Sequence, residues 1–373
     1  KIEKNDFASA ISGEKCDGAE GVKEINDSEQ NPQEEKESGS SMSYVGMPLA
    51  DRMKKYETDS LNIVKIPPAN GFLVRLDGRS FSKFTSGLNK PFDKNFTQAI
   101  VRATVDLVNE FHALLGYTHS DEISILFKKA ILPDKEIQED SEKEKKKKKV
   151  NKENEPTHIF DGRVVKLLTT MSSYCSVRFN YHLLELLKGN LDSNNSSNSS
   201  NVADSSIKPY SKEFVSKAFN MQASFDARLI MFPEEAEQTE TVNYFIWRSV
   251  WDSERNAVST YSRKYFTQKE VHGKKKDEMI AMLKEQKGLD WEKDVPIYWK
   301  HGVYLKKKQY QETGSVPLSE KNITYIRTKV VSKCFKIKCC DFYKSLLFDS
   351  YYQVLPEKES EHSIKDFSIT PML

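Results

Sequence analysis

The stretch Phe72 to Asp77, FLVRLD, alternates strictly, with Phe72, Val74 and Leu76 on one side and Leu73, Arg75 and Asp77 on the other. A period of two over this length is a strand with one apolar face. Pro67, Pro68, Asn70 and Gly71 before it are turn residues, and Gly78 after it permits a sharp turn. The next segments restrict the fold further. NKPFDKNFTQAIVRATVDLVNEFHALLG reads as a helix, N-capped by Asp93, with Phe96, Ile100, Leu107 and Phe111 in an apolar stripe and Gly116 as its expected stop. YTHSDEISILFKK reads as two strand pieces meeting at Ser120-Asp121. DGRVVKLLTTMSSYCSVRFNYHLLELLKG reads as a long helix with Val164, Leu168, Met171 and Cys175 on one face and Gly189 closing it. The strand expected over Ser224 to Phe232 is stopped by Pro233. The order β-α-β-β-α-β is an α+β, split βαβ, ferredoxin-like unit.

In such a unit the first and third strands lie side by side, so Asp77 is expected beside Asp121-Glu122. Two bare carboxylates about 4 Å apart repel by roughly 1 kcal/mol in water and by several times that when half buried. A site that keeps them together normally holds a shared proton or a cation. Oxygen-only ligands favour Mg²⁺, and two such ions about 3.5–4 Å apart can clamp a phosphoryl transfer. Either fragment alone is more simply a turn or a cap; their joint placement at adjacent strand tips favours chemistry. Gly78, Arg79, Ser80, Phe81 and Ser82 could form a phosphate-binding nest of amides, with Lys90 and Ser120 close by. There is no GxxxxGK[ST] loop. A second Asp-Gly-Arg, Asp161 to Arg163, precedes the long helix, where Asp161 is expected to be an N-cap.

Apolar residues make up 38% and charged residues 30% of the 373, which implies a folded core diluted by polar segments. Residues 1–43 read as a disordered tail, and ordered structure is expected from Tyr44, with a helix start near Pro48 and Asp51. Residues 44–235 form the catalytic unit, with disordered insertions near 133–157 and 190–208. The first insertion carries the lysine run Lys145 to Lys149, open to a nucleic-acid reading and to that of a solvated segment balanced by neighbouring acids. Residues 236–373 read as helical and basic. Arg248, Arg255 and Arg263 recur at helical spacing and are expected to share a face, with aromatic residues interleaved. Lys274 to Lys276 and the basic strand with Lys306 to Lys308 come next. A net charge of +2 leaves such a basic face possible. Cys16, Cys175, Cys334, Cys339 and Cys340 have no paired ligand spacing and read as reduced core thiols. No stretch is long and apolar enough to span a bilayer. The first forty residues carry many acids and no Arg, unlike a presequence, so a cytoplasmic location is expected. Because the chain begins at Lys1, a mitochondrial leader stays open.

LDGRSFSKF, NKPFD, HSDEISILF and FDARLIMFP, in this order, resemble the tRNA-histidine guanylyltransferase family. The resemblance implies a polymerase-palm-like catalytic core that adds nucleotides in the 3′-to-5′ direction to a tRNA 5′ end. It implies that Asp77 and Asp121, with the Gly78 carbonyl, bind two Mg²⁺ ions, and that Glu122 is an acid of the same catalytic group. Arg79, Ser80, Phe81 and Ser82 match the triphosphate loop, with Ser82 where the family usually has His. Lys90 and Ser120 match nucleotide-contacting positions, with ATP and GTP or other nucleoside triphosphates as substrates. Phe225 to Arg228 matches a second motif, with Ala227 in place of Gly. The family's His-Ile-Asn-Asn-Leu-Tyr-Asn stretch aligns with Ser253 to Ser259, where only Asn256 is kept. That departure resembles the guanylyltransferase-like branch, which rebuilds truncated tRNA 5′ ends on a template. Arg248, Arg255, Asn256, Arg263 and Lys274 are the expected tRNA contacts, and a homotetramer away from membranes is implied. The rivals are addition of a single G to tRNA-histidine, a non-catalytic RNA-binding relative, and a nucleotide cyclase. Retention of Asp77 and Asp121 argues against the non-catalytic one, and the nucleotide loop and Lys90 against the cyclase.

Overall fold

The computed structural model describes residues 51, 64–130, 156–196, 210–315 and 322–369. The tail 1–43, nearly all of the insertion near 133–157 with its lysine run, Cys16, and most of the helix start near Asp51 fall outside the described residues.

Strand β1 (Phe72–Gly78) leads into helix α1 (Lys94–Glu110), then β2 (Leu115–His119) and β3 (Glu122–Phe127). Helix α2 (Val164–Ser196), the short α3 (Lys212–Phe219) and β4 (Phe225–Ile230) complete the β-α-β-β-α-β order. Asp93 caps α1 as expected, its carboxylate accepting from the Phe96 amide at 3.0 Å. The helix stops at Glu110, short of Gly116, where His112 takes a left-handed φ of 52° and turns the chain. Gly116 is instead inside β2, directly under α1. A Cβ there would lie 2.8 Å from Cγ2 of both Thr104 and Val108, so a hydrogen is all that fits. Helix α2 runs through Gly189 to Ser196, so the second insertion begins later than its composition suggests; 197–209 lie outside the described residues. Asp161 is not a helix cap. Phe160, Asp161 and Gly162 all take left-handed φ, and the Asp161 carboxylate pairs with Lys65 Nζ at 2.5 Å.

The sheet has the order β4-β1-β3-β2-β5-β6-β7, with every pairing antiparallel. Strands β1 and β3 are neighbours, with Phe72 opposite Phe127 and Asp77 opposite Glu122. Phe72, Val74 and Leu76 face α1 and α2, packing with Ile123, Leu107, Met171 and Phe179 in the largest core cluster. Each such side chain contributes about 1.5–3 kcal/mol by leaving water. Leu73 and Leu126 face the other way and are covered by Val242 and Phe245 of α4 (Glu237–Ile246). Strands β5 (Val303–Ser315) and β6 (Asn322–Cys334) form a long ribbon, and the two-residue β7 (Lys365–Asp366) ends the sheet. Because β5 pairs with β2 (Thr118 opposite Val303), the chain after residue 235 extends the same sheet rather than forming a separate region.

A single helical run crosses the second face: α4, a six-residue π-helical segment Trp247–Asp252, and α5 (Ser253–Tyr265). Helix α6 (Lys276–Lys287) packs on α5 through Val258, Tyr261 and Leu283. The π segment changes the phase of the run, since its i→i+5 bonding holds one residue more per turn. Arg248, Arg255 and Arg263 therefore do not share a face: Arg248 is 5% exposed, whereas the other two lie on the surface. Lys306, expected on a basic strand face, is also buried and donates to the Leu347 carbonyl at 2.9 Å. Cys175 and Cys334 are buried thiols; Cys339 and Cys340 are exposed, because they precede α7 (Asp341–Phe348) on the surface. Among the described residues no helix is long and apolar enough to cross a membrane.

Candidate active site

The end of β1 lies between β3 and β4, so Asp77 faces Glu122 on one side and Asp226 on the other. The backbone locks this end. The Gly78 amide donates to the Asp121 carbonyl at 3.1 Å, and the Arg79 amide to the Ser224 carbonyl at 2.8 Å. Ser80 then takes a left-handed φ of 56° and begins the single helical turn Phe81–Phe84. The Phe81 ring swings back under the loop, where a Cβ on Gly78 would meet it at 2.5 Å. It sits against Phe225, Phe84 and Phe179 with centroids 5.0, 5.2 and 5.6 Å away. Across from it, Ser120 also takes a left-handed φ of 56°, making the tight β2–β3 turn. Its hydroxyl donates to Asp121 Oδ1 at 3.2 Å.

The electrostatics separate the three expected acids. Burial, followed by the nearby charge of Asp77, raises the pKa of Asp121. Burial thus disfavours the charged form of Asp121, and the neighbouring Asp77 adds to the effect. Glu122 is differently placed: its carboxylate is gripped by Arg75 and by Arg248. Arg248 Nη1 also bonds Asp252 Oδ2 at 2.7 Å, and Asp252 in turn pairs with Arg255. Burial, then the Arg75 charge, lowers the Arg248 pKa. At the end of β2, His119 is buried against the Trp299 carbonyl at 3.0 Å, and burial lowers its pKa to about 4, so it is neutral.

A cavity of about 290 Å³ opens beside the pair. Ser82, Lys90, Ser120 and Asp121 line it together, with Phe81 forming part of its floor. Arg79 and Ser80 stand exposed on the preceding loop, outside the lining. Asn89, Phe92 and Thr260, which sequence reasoning misses, also line it. Thr260 comes from α5, so a wall of the cavity is supplied by the chain after residue 235. The one sequence signal for this corner is the Asp93 cap. Its buried carboxylate also accepts from Asn89 Nδ2 and the Tyr210 hydroxyl, each at 3.1 Å, and so pins the loop that carries Lys90.

Of the residues read as tRNA contacts, Arg255, Asn256, Arg263 and Lys274 lie on the surface and Arg248 is in the core. The stretch from Ser253 to Ser259 is half interior. Ser253 Oγ donates to the Ser249 carbonyl at 2.6 Å, Glu254 accepts from Lys276 Nζ at 2.9 Å, and Ala257 and Val258 belong to a core cluster. Among the described residues no three His, Cys, Asp or Glu side chains gather as a metal cage.

Residues 50–233 match the family model described as tRNAHis guanylyltransferase. An uncharacterised protein, R259 of Acanthamoeba polyphaga mimivirus, is 36% identical over 326 residues, spanning 87% of this chain and 97% of its own. The chain belongs to the tRNAHis guanylyltransferase family. A solved bacterial tRNA(His) guanylyltransferase-like protein in complex with ATP is 26% identical, with a TM-score of 0.50, over 69% of this chain and 88% of that one. A bacterial structure of the same description in complex with GTP is 23% identical, with a TM-score of 0.48, over 76% and 90%. The part of this chain that matches the tRNAHis guanylyltransferase family model contains Asp77, Asp121 and Asp226. Arg248, Thr260 and the surface arginines of α5 lie beyond it.

Proposed function

We propose that this protein adds nucleotides in the 3′-to-5′ direction to the 5′ end of tRNA, copying the opposite strand to rebuild a truncated end. The observation that carries this reading is one cavity in which Ser82, Lys90 and Ser120 meet Asp121, next to Asp77. A cationic side chain and two hydroxyls beside an acidic pair suit a nucleoside triphosphate with its metal. The relative solved with ATP supports the same ligand class.

The residues fit Mg²⁺. Asp77 and Asp121 supply two carboxylates whose mutual repulsion a cation relieves, and the Gly78 carbonyl can add a third oxygen, in keeping with a hard cation. Among the described residues too few side chains gather for a closed cage, which is the usual arrangement when substrate phosphates complete the shell. When bound, Mg²⁺ would lower the pKa of an attacking hydroxyl and offset charge on a leaving phosphate. The chain's own residues do the rest. Lys90 holds the triphosphate against the cavity wall, Ser82 and Ser120 orient it, and Asp121 and Asp77 fix the geometry from bonded strand ends. Arg79, exposed at the mouth of the loop, contacts the phosphates as they enter. A 5′-monophosphate end is first joined to the AMP of ATP, releasing pyrophosphate, and the 3′-hydroxyl of the incoming nucleotide then attacks that activated 5′-phosphate, losing its proton to solvent. The O–P bond to that phosphate forms as the bond to AMP, or to pyrophosphate for a 5′-triphosphate end, breaks. Surface Arg255, Arg263 and Lys274 engage tRNA phosphates.

The second reading is addition of a single G to tRNA-histidine. The sequence Ser253 to Ser259, which keeps only Asn256 of the family's stretch, favours the first. The test is incubation with tRNA lacking its first nucleotide, Mg²⁺, ATP and labelled nucleotides. Extension that follows the opposite strand supports repair, and G addition confined to tRNA-histidine supports the second reading. Binding without extension of any tRNA rules out both.

A further inference from the structure

Three neighbouring strands place a row of acids, Asp226, Asp77 and Glu122, directly opposite one another at the sheet end. One step into the sheet on the same face is a row of Arg228, Arg75 and Ser124. Both arginines lie within reach of Asp77: Arg75 Nη2 is 3.7 Å from Oδ1 and Arg228 Nη2 is 3.9 Å from Oδ2. Neither makes its close contact there. Arg75 closes on Glu122 instead, and Arg228 is nearer to Asp226, at 3.4 Å. Each arginine is thus shared between Asp77 and a flanking acid, and the flanking acid holds it more closely. Arg248, buried and itself anchored on Asp252 at 2.7 Å, fixes Glu122 from behind, so that Glu122 keeps its hold on Arg75.

We propose that Glu122 and Asp226 are positioning residues that draw Arg75 and Arg228 away from Asp77 and so keep its carboxylate open to a divalent cation. The proposal rests on the reading of Asp77 and Asp121 as the cation site. Without either flanking acid, the freed guanidinium keeps Asp77 as its ion-pair partner among the described residues and would occupy with two N–H donors the oxygens a cation needs. The cost of removing a flanking acid is therefore competition by a fixed positive charge, and taking that charge away as well should cancel it.

The test uses Mn²⁺ as the probe, bound to the full chain without nucleotide or tRNA and measured by electron paramagnetic resonance. Glu122→Gln and Asp226→Asn should each weaken Mn²⁺ binding by about five- to tenfold, the effect of one uncompensated charge at this range in a half-buried site. Adding Arg75→Gln to the first and Arg228→Gln to the second should restore affinity to within about twofold of wild type. A merely structural role would show the reverse, with the double variants binding no better than the singles. Glu122→Gln also takes a partner from buried Arg248; if that variant does not fold, the exposed Asp226 pair carries the test alone. Binding unchanged in the single variants, or not recovered in the doubles, overturns the proposal while Asp77→Asn still loses Mn²⁺. If Asp77→Asn binds as well as wild type, the cation site is misplaced and both readings fall.

Discussion

The Gly78 amide donates to the Asp121 carbonyl at 3.1 Å, so the two segments that carry the acidic pair are tied together by backbone before any ligand arrives. In the proposed reaction such preorganisation would spare the acids from being gathered at each turnover.

Asp77→Asn should reduce nucleotide addition by about a hundredfold or more, the usual scale for losing a group that stabilises transition-state charge. Asp161→Asn should leave the rate and the melting temperature where they were, since among the described residues Asp161 makes its ion pair with exposed Lys65 on the surface. Both are read by extension of a 5′-truncated tRNA, with thermal melts run alongside.

Gly116→Ala should destabilise the protein by about 1–3 kcal/mol, the range for overpacking a buried interface. The new methyl would press on Thr104 and Val108, both fully buried in α1. A lower urea midpoint at unchanged slope is the expected result; an unchanged midpoint would mean that α1 moves freely over β2.

Burial lowers the Lys306 pKa to about 7 from an ordinary value of 10.5. Between those two values the unfolded chain holds a proton that the folded one does not, so stability gains with rising pH. The gain is at most about 1.4 kcal/mol per unit. Below pH 7 both states are protonated and this contribution is flat. Melting temperatures from pH 7 to 9 should climb in the wild type relative to Lys306→Met, which lacks the titrating group. Parallel curves would mean that the ammonium stays charged in the fold.

Arg255→Ala with Arg263→Ala should weaken tRNA binding and reduce the slope of log affinity against log salt by about one for each phosphate no longer engaged. Arg248→Ala should do something else. It strips half-buried Glu122 and buried Asp252 of a partner, at a cost of about 3–5 kcal/mol in stability. Filter binding at several salt concentrations, paired with denaturant melts, separates the two classes.

How much of the molecule is legible in the sequence depends on which interaction decides each position. The alternation Phe72 to Asp77 places β1 and its buried face, and the Ser120-Asp121 break places the β2–β3 turn, because both are local patterns enforced by one core. The neighbouring of Asp77 and Glu122 follows from strand order alone. Glu122 itself reads as an acid of the catalytic group because a sequence does not show which arginine reaches it, and Arg248 arrives from more than a hundred residues away. Gly116 reads as a helix stop because a glycine needed for contact with a layer above looks the same as one needed for a turn. Asp161 repeats the Asp-Gly-Arg of the site, but its surroundings on the surface, not its neighbours in sequence, set what it does. Asp226 stands out in the sequence only as part of FDAR; its place opposite Asp77 needs the register of β4.

The π-helical segment Trp247–Asp252 works as a gear between two helices that answer to different demands. Ahead of it, the chain must keep Val242 and Phe245 on the sheet. After it, the chain must turn Thr260 toward the cavity while Val258 and Tyr261 meet α6. An uninterrupted α-helix would have a single phase for both halves. With one residue more per turn in the middle, each half is set on its own, and Arg248 is left at the junction, where it can reach the acidic row. Deleting one residue between Trp247 and Asp252 would mesh the two halves again, and the sheet contact or the cavity wall would have to give way.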